Sequence, residues 1–155
     1  FQFVEDEVKK LDFNGVYNFN PIDNKLSLVS KEIDLPNGIG LSPDNNTLYV
    51  NKMGLLDGNP RIISIDLETN ELSILFDGKE LSESYEGNFD GMTVHSSGNI
   101  FTSGPGGLLV ISPEGDLMAK IDFGHLTNAT FDDDESYLYV TGFVNNPKVY
   151  RIKLN

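Results

Sequence analysis

The sequence predicts an all-β protein that forms part of a β-propeller, and two observations lead to this prediction. Short runs rich in β-branched and aromatic residues alternate with turn-forming residues along the chain, which is typical of all-β folds. The order of these runs also repeats. The repeated units start at Gly38, Gly91 and Ala129, which are 53 and 38 residues apart, close to the period of about 40 to 50 residues found in propeller blades.

The first strands are predicted to form a hairpin. Residues 15–19 and 25–29 are two alternating apolar runs. The segment between them, residues 20–24, consists mainly of asparagine, proline and aspartate, which favour turns. Before this hairpin, three valine and leucine residues within residues 4–11 have helical spacing, but the segment is short and lacks a good N-cap, so we predict little helix.

Two four-strand units and one three-strand unit follow the hairpin. The strands predicted for the first unit are residues 39–41, 47–50, 61–65 and 72–76. Those predicted for the second unit are residues 92–94, 99–102, 108–111 and 117–121. The third unit has runs at residues 129–131, 137–141 and 148–154. Serine, proline, asparagine, aspartate and glycine separate the runs within the units, as expected for turns.

These units predict one domain over residues 1–155. It consists of a half blade at residues 13–30 and blades at about residues 36–77, 89–122 and 127–154. They amount to about three and a half four-stranded blades, whereas a closed propeller has about four to eight. The chain is therefore expected to form part of a ring. Strand edges left open in such a part can pair with another chain, so self-association is one expectation.

Composition excludes several classes of partner and chemistry. Hydrophobic residues make up 39% of the 155 residues and charged residues 23%, which is ordinary for a soluble globular domain. The 24 acidic and 11 basic residues give a net charge of −13, which argues against nucleic acid and anionic membranes as partners. No run approaches the about 20 apolar residues of a membrane helix, and the first residues lack the features of a signal peptide. The absence of cysteine excludes disulfides and thiolate chemistry and leaves the location in the cell open.

Two oxygen-bearing side chains stand at equivalent points of the first two units. Asp90 and Asn37 are each followed by glycine and then by an apolar run, so each is placed at the head of a strand. Oxygen ligands that converge from neighbouring units can bind one hard metal ion. The alternative is that Asn-Gly and Asp-Gly serve only as turn residues.

Other candidate residues point to no further site. His95 and His125 are predicted to lie in surface loops. No serine lies in a Gly-x-Ser-x-Gly elbow, and the glycines at residues 104–107 lack the Gly-Lys-Ser/Thr of a phosphate loop. The acidic run at residues 132–135 lacks the spacing of a calcium loop, and a solvated hairpin tip is the simpler interpretation.

An ordered set of motifs extends over nearly the whole chain. It comprises the segments at residues 13–17, 35–44, 48–50, 89–92, 98–101, 103–107, 127–131, 138–141 and 150–152. Together these motifs resemble the senescence-marker-protein/gluconolactonase/luciferin-regenerating family of six-bladed propellers, and the Gly-Pro-Gly-Gly segment is similar to the bacterial gluconolactonase branch. Three departures from the family pattern are Phe89 for a proline, residues 51–53 for a more usual acidic residue after the strand, and Ala129 for a cysteine.

The resemblance implies a metal-dependent hydrolase of sugar lactones or related cyclic esters. Family members bind one divalent metal through a glutamate near the start of the chain, the asparagine of Pro-Asn-Gly and the aspartate of Asp-Gly-Met. The last two correspond to Asn37 and Asp90, and the glutamate has no counterpart, so the resemblance implies that this chain is the C-terminal portion of such an enzyme. Ca²⁺ is the expected ion, with Zn²⁺ and Mn²⁺ as alternatives.

The functional expectation is therefore a gluconolactonase-like enzyme with a small-molecule lactone as substrate. Asn37 and Asp90 are the expected metal ligands. Asp90 is also the expected general base, because a carboxylate can accept a proton from the attacking water. The alternative is a non-catalytic propeller that binds a small ligand or a protein through one face of the ring.

Overall fold

The residues that the structure describes contain thirteen strands and one short helix. The structure is a computed structural model, and it describes residues 11–142 and 147–154. The strands are β1 Val16–Asn20, β2 Lys25–Ser30, β3 Pro36–Leu41, β4 Thr47–Lys52, β5 Arg61–Asp66, β6 Leu72–Asp77, β7 Met92–Val94, β8 Ile100–Gly104, β9 Gly107–Ile111, β10 Leu117–Ile121, β11 Leu126–Phe131, β12 Tyr137–Gly142 and β13 Lys148–Lys153, with helix α1 at Lys79–Ser84 between β6 and β7.

The strands form four antiparallel sheets in chain order. The first sheet contains β1 and β2, the second runs from β3 to β6, the third from β7 to β10 and the fourth from β11 to β13. Each sheet is a meander, because every strand pairs with its neighbour in sequence. The predicted all-β propeller, with about three and a half blades, is confirmed.

The first strands of the last three sheets lie beside one another. The Gly38 N–H donates to the Asp90 carbonyl at 2.7 Å, and the Gly91 N–H donates to the Thr127 carbonyl at 2.8 Å. These two bonds join β3 to the segment before β7, and that segment to β11. The starts of β3, β7 and β11 therefore lie side by side, as the first strands of neighbouring blades do around the axis of a propeller.

The hydrophobic core lies between the sheets, because the middle strands are buried on both faces. In β4, Leu48 and Val50 pack toward the first sheet, whereas Tyr49 packs toward the third. In β9, Leu109 packs toward the second sheet and Leu108 toward the fourth. Since successive side chains of a strand point to opposite faces, continuous apolar runs in these strands fill two cores at once.

The meander brings two sets of connections to opposite ends of the sheets. We call the end where β3, β7 and β11 begin the upper face. It carries the connections at residues 31–35, 53–60, 78–91, 105–106 and 122–125. The opposite end, the lower face, carries the turns at residues 20–24, 42–46, 67–71, 95–99, 112–116 and 132–136. Asn37 and Asp90 both lie at the upper face.

Helix α1 is the element that the sequence pattern did not predict. None of its six residues is buried, so it has no apolar stripe that a periodicity argument could detect. The Asp77 carboxylate accepts a hydrogen bond of 3.0 Å from the Lys79 N–H, and this bond supports the first turn. The valine and leucine pattern within residues 4–11 falls mostly outside the described residues.

Within residues 11–142 and 147–154, no helix has the length and the apolar composition needed to cross a bilayer.

Candidate functional site

Asn37 and Asp90 line one cleft on the upper face. The cleft has a volume of about 300 Å³. Its lining consists of residues at the start of the three adjacent inner strands: Asn37, Gly38, Ile39, Asp90, Gly91, Met92, Thr127 and Asn128. The two side chains that the sequence singled out are therefore brought together by the packing of neighbouring sheets. The structure adds Thr127 and Asn128, which the sequence analysis had not identified as site residues.

Asn37 lies in β3 at a register shift between Pro36 and Ile39. Its Nδ2 donates to the Met53 Sδ at 3.3 Å. A thioether sulfur is a weak acceptor, and the Asn37 side chain also hydrogen-bonds the Asp90 carboxylate, so the amide is held between these two groups. A half-turn of the amide exchanges its oxygen and nitrogen with little change in shape, and either group can therefore be presented to the cleft.

The backbone of Asp90 is held on both sides. Its N–H donates to the Ser103 Oγ at 3.2 Å. Its carbonyl accepts two hydrogen bonds of 2.7 Å, one from the Gly38 N–H and one from the Asn51 Nδ2. Because three residues from two sheets fix this peptide, the direction in which the carboxylate leaves the backbone is fixed as well.

Burial raises the pKa of the Asp90 carboxyl above its ordinary value, because desolvation disfavours the charged form. A hydrogen bond from the Asn37 side chain and the charge of His125 act in the opposite direction. The net direction is upward. A carboxylate that is more basic than usual is a better proton acceptor, and a nearby cation would offset the lost hydration.

Asn51 supports Asp90 from the neighbouring sheet. The side chain is fully buried, and its Nδ2 donates to the Asp90 carbonyl at 2.7 Å and to the Thr102 Oγ1 at 2.8 Å. Among the described residues, the Asn51 Oδ1 is the buried side-chain atom that has no hydrogen-bond partner. In the sequence, residues 51–53 stand out only as a departure from a family pattern. Nothing local indicates this role, since Asn51 and Asp90 lie 39 residues apart.

The glycines that follow the two candidate ligands allow the sheets to approach closely. A Cβ on Gly38 would lie 2.8 Å from the Met92 N and 2.8 Å from the Asn51 Nδ2, and would overlap the Asp90 carbonyl oxygen. A Cβ on Gly91 would overlap the side chain of Asn128. The sequence Asn-Gly and Asp-Gly thus reflects close packing of inner strands at these positions, and the residues are not simple turns.

The two candidate metal ligands in the cleft both carry side-chain oxygen atoms. Asn37 and Asp90 offer an amide and a carboxylate oxygen, which are the ligands of hard cations such as Ca²⁺. In residues 11–142 and 147–154, no three His, Cys, Asp or Glu side chains come together as a metal site. Asn37 and Asp90 thus bring one amide and one carboxylate to the cleft.

The two histidines lie at opposite ends of the sheets. His125 lies at the upper face in a second cleft of about 300 Å³, which also contains Tyr85 and Glu86. His95 lies at the lower face, where its Nε2 is 3.3 Å from the Glu135 Oε2. Both lie in loops, as predicted, but both are partly buried.

The acidic turn at the lower face is only partly solvated. Glu135 Oε1 accepts a hydrogen bond of 2.9 Å from the Ser96 N–H, and its Oε2 accepts one from the Ser96 hydroxyl. The turn at residues 132–136 is therefore bonded to the turn of the preceding sheet, which the interpretation as a solvated tip did not include.

A third cleft on the upper face is larger. It has a volume of about 630 Å³ and adjoins the segment that leads to Asp90. Its lining comes from Gly54, Gly58 and Pro60 and from residues 82–88, which include two serines, two glutamates, a tyrosine and an asparagine. Hydroxyl, carboxylate and amide groups of this kind can hydrogen-bond a polyhydroxylated ligand.

Comparison with known proteins agrees with the geometry of the fold. A profile of the SMP-30/Gluconolactonase/LRE-like region matches residues 2–143. The gluconolactonase of Zymomonas mobilis subsp. mobilis is 30% identical over 152 residues, and the match covers 94% of this chain and 42% of the relative. The chain thus spans less than half the length of this curated relative.

Solved structures give a similar result. A gluconolactonase from Xanthomonas campestris superposes with a TM-score of 0.80 at 26% identity, and covers 94% of this chain and 46% of that chain. Regucalcin from Agrobacterium tumefaciens, a calcium-binding protein, superposes with a TM-score of 0.66 at 22% identity, over 82% of this chain and 43% of that chain. The latter likeness is one of fold.

Proposed function

Because the chain belongs to the SMP-30/gluconolactonase/LRE-like family, we propose that this protein hydrolyses a sugar lactone or a related cyclic ester with the help of a divalent metal ion. The observation that supports the proposal is the cleft in which Asn37 and Asp90 meet at the heads of adjacent inner strands. The likeness to two gluconolactonases supports the substrate class. Since the chain spans 42% of the curated relative, the activity is proposed for the protein as a whole.

The proposed metal ligands are Asn37 and Asp90. Their oxygens are hard donors, so Ca²⁺ is the first choice, and Zn²⁺ and Mn²⁺ are alternatives for the assay. A bound divalent ion polarises a carbonyl and lowers the pKa of a bound water. Asn37 adds an oxygen without adding a negative charge, which preserves more of the electrophilic character of the ion.

The proposed catalytic residue is Asp90, acting as a general base. A water oxygen attacks the lactone carbonyl carbon while the Asp90 carboxylate accepts the proton that the water loses. The ring C–O bond then breaks, and the departing alkoxide takes that proton from the Asp90 carboxyl, so that a hydroxy acid is released and the carboxylate is restored.

An assay of lactone hydrolysis tests this proposal. The protein is assayed with δ-gluconolactone as probe in the presence of Ca²⁺, Zn²⁺ or Mn²⁺, and the Asp90→Ala variant is compared with wild type. We expect the variant to lose at least about 100-fold in rate, which is the usual contribution of a general base. Asp116→Ala is a matched control, because Asp116 is an exposed carboxylate in a lower-face turn of the same sheet. Activity retained by Asp90→Ala would remove the proposed role.

The second candidate function is a non-catalytic propeller that binds a small ligand or a protein. The observation that favours it is the larger upper-face cleft with its polar lining, which needs no metal in order to bind a ligand. This candidate predicts no saturable binding of divalent ions and no lactone hydrolysis with any of the three ions. Calorimetric titration with each ion distinguishes the two functions.

A further inference from the structure

Asn128 lies at the start of the third repeated unit, in strand β11 of the fourth sheet. It has the place there that Asn37 and Asp90 have in the first two repeated units. The repeated units start at Gly38, Gly91 and Ala129, and the residue immediately before each start carries a side-chain oxygen. In all three units that residue is followed by one of the two smallest amino acids. The pattern therefore marks three positions, of which the family resemblance identified two.

The structure places Asn128 in the cleft that Asn37 and Asp90 share. The side chain of Asn128 lies against the backbone of Gly91, because a Cβ built on that glycine would overlap the Asn128 Oδ1 and Cγ. Gly91 directly follows Asp90, so the Asn128 amide lies beside the peptide that carries the Asp90 carboxylate. A register shift in β11 between Leu126 and Asn128 accompanies this orientation, as the shift at Asn37 does in β3.

The Asn128 amide is held with its oxygen partly unused. Its Oδ1 accepts a hydrogen bond of 2.9 Å from the Ala129 N–H, and this bond restricts rotation of the amide. An amide oxygen has two lone-pair sites, so one of them remains after this bond. Asn128 is exposed and is one of the residues that line the cleft, which leaves room for a ligand to approach.

A hard cation requires more oxygens than Asn37 and Asp90 supply. Ca²⁺ takes about six to eight oxygen ligands, of which two residues can give only a part. Asn128 lies within the same 300 Å³ cleft and offers an oxygen of the same type as Asn37. It adds no charge, so it does not increase repulsion around Asp90.

We propose that Asn128 is a further protein ligand, through its Oδ1, for a divalent cation bound by Asn37 and Asp90. The inference rests on the proposed function, because it assumes that these two residues bind a cation. It assigns to Asn128 a direct role in the affinity and selectivity of the site. A cation held by one carboxylate and two amides from three adjacent sheets also links the sheets to one another at the upper face.

Calorimetric titration with Ca²⁺ alone tests the assignment on wild type and three variants. We expect Asn128→Ala to weaken binding by about 10-fold or more, the scale on which groups around a metal affect affinity. Asn128→Asp keeps the shape and adds a charge, so we expect it to bind Ca²⁺ more tightly than wild type. Thr130→Ala is the matched control, because Thr130 is an exposed residue of the same strand that does not line the cleft. It should bind as wild type does.

A second measurement does not depend on substitution. In the wild-type protein, the side-chain amide resonance of Asn128 should shift on addition of Ca²⁺, with the same saturation curve as the calorimetric titration. This measurement decides the question if Asn128→Ala fails to fold, which near-UV circular dichroism would reveal. A merely structural role for Asn128 predicts that Asn128→Ala loses stability while its affinity for Ca²⁺ stays that of wild type.

The outcomes separate this inference from the proposed function. If Asp90→Ala abolishes Ca²⁺ binding while both Asn128 variants bind as wild type and the Asn128 amide does not shift, the inference is wrong and the proposed function stands. If wild type shows no saturable binding of Ca²⁺, both are overturned. If the Asn128 variants behave as expected but Asp90→Ala hydrolyses lactone normally, the cation site stands and the catalytic role of Asp90 is wrong.

Discussion

Asn51 shows how a single buried side chain can organise a site that it does not line. It donates to the Asp90 carbonyl and to Thr102, and its own Oδ1 has no partner among the described residues. A buried acceptor without a partner costs free energy. This cost occurs where the Asn51 Nδ2 and the Gly38 N–H both donate to the Asp90 carbonyl. Asn51 therefore contributes to the position of Asp90 as well as to stability.

Replacing Asn51 should affect both stability and the site. Asn51→Ala removes both hydrogen bonds and leaves the Thr102 hydroxyl with one donor fewer, so we expect the free energy of unfolding to fall by about 1–3 kcal/mol. Asn51→Leu keeps the branched shape but would place a methyl group where Nδ2 lies, 2.7 Å from the Asp90 carbonyl oxygen and 2.8 Å from the Thr102 Oγ1, so it should be at least as destabilising as Asn51→Ala. Urea denaturation with an unchanged m-value measures both effects. Equal stability of Asn51→Ala and wild type would contradict this account.

A buried lysine at the upper face depends on Asp57. The Lys52 side chain is 10% exposed, and its Nζ lies 2.5 Å from the Asp57 Oδ2. The hydrogen bond to Lys52 lowers the pKa of Asp57 to about 2 from the ordinary value of 3.8. Because the folded state binds the Asp57 proton less tightly than the unfolded state does, the pair stabilises the fold above pH 3.8 and this stabilisation is lost as the pH falls toward 2.

Asp57→Asn should therefore destabilise the protein near neutral pH and have little effect near pH 2. We expect a loss of about 1–2 kcal/mol at pH 7, at the lower end of the range for charged hydrogen bonds because 35% of the Asp57 side chain is exposed and solvent screens the pair. Asp34→Asn is the control, since Asp34 is 3.8 Å from Lys52 and 60% exposed. Urea titrations at several pH values measure the difference, and a gap that stays constant down to pH 2 would rule out this linkage.

At the scale of elements, the separation of the inner strands is set by glycine. Gly38 of β3 faces the start of β7 so closely that a Cβ would meet the Asp90 carbonyl, the Met92 N and the Asn51 amide. Two of these three groups belong to the backbone, which cannot turn aside as a flexible side chain would. The close approach allows the Gly38 N–H to reach the Asp90 carbonyl, and so brings Asn37 and Asp90 into one cleft.

Gly38→Ala should push the two sheets apart. We expect a loss of about 3 kcal/mol or more in the free energy of unfolding, at or above the upper end of the range for overpacking, together with weaker Ca²⁺ binding. Gly58→Ala is an informative comparison, because Gly58 has a positive φ of 69° and no atom near its Cβ position. That substitution meets only backbone strain, about 1 kcal/mol. Denaturation of both variants tests the ranking, and a smaller effect at Gly38 than at Gly58 would contradict the packing argument.

The strands could be predicted from sequence because their signals are local. Middle strands such as β4 and β9 are buried on both faces, so they appear as continuous apolar runs between turn residues, and the turns carry Asn, Asp, Pro and Gly. Helix α1 has no buried residue and therefore has no such signal. Whether an element can be predicted thus depends on whether its own residues carry the pattern of burial.

The site could be predicted only in part for the same reason. Asn37 and Asp90 stand out because each occurs in a repeated motif. Asn128 stands in the same register, but Ala129 replaces the glycine that would have completed the motif. The link from Asn51 to Thr102 spans 51 residues, and only the packing of one sheet on the next creates it.

For the molecule as a whole, charge and exposed apolar surface act in opposite directions. The net charge of −13 opposes the approach of two copies. In the first sheet, however, Tyr17 pairs with Leu28 and Phe19 with Leu26, so all four side chains lie on one face. Their exposed fractions range from 37% for Tyr17 to 62% for Leu26. A contiguous apolar face of this kind favours association.

We therefore expect the chain to self-associate through this face when it is expressed alone, and Leu26→Lys to make it monomeric. Ile22→Lys is the matched control, because Ile22 is 94% exposed but lies in the turn between β1 and β2 and makes the same change in charge. Sedimentation equilibrium over a range of concentrations measures both. Added salt should strengthen association of the wild type, since it screens repulsion between the acidic surfaces without weakening the apolar contact. If Leu26→Lys and Ile22→Lys associate equally, the apolar face does not cause association. If the wild type is monomeric even at high salt, neither the apolar face nor open strand edges suffice to bring two copies together.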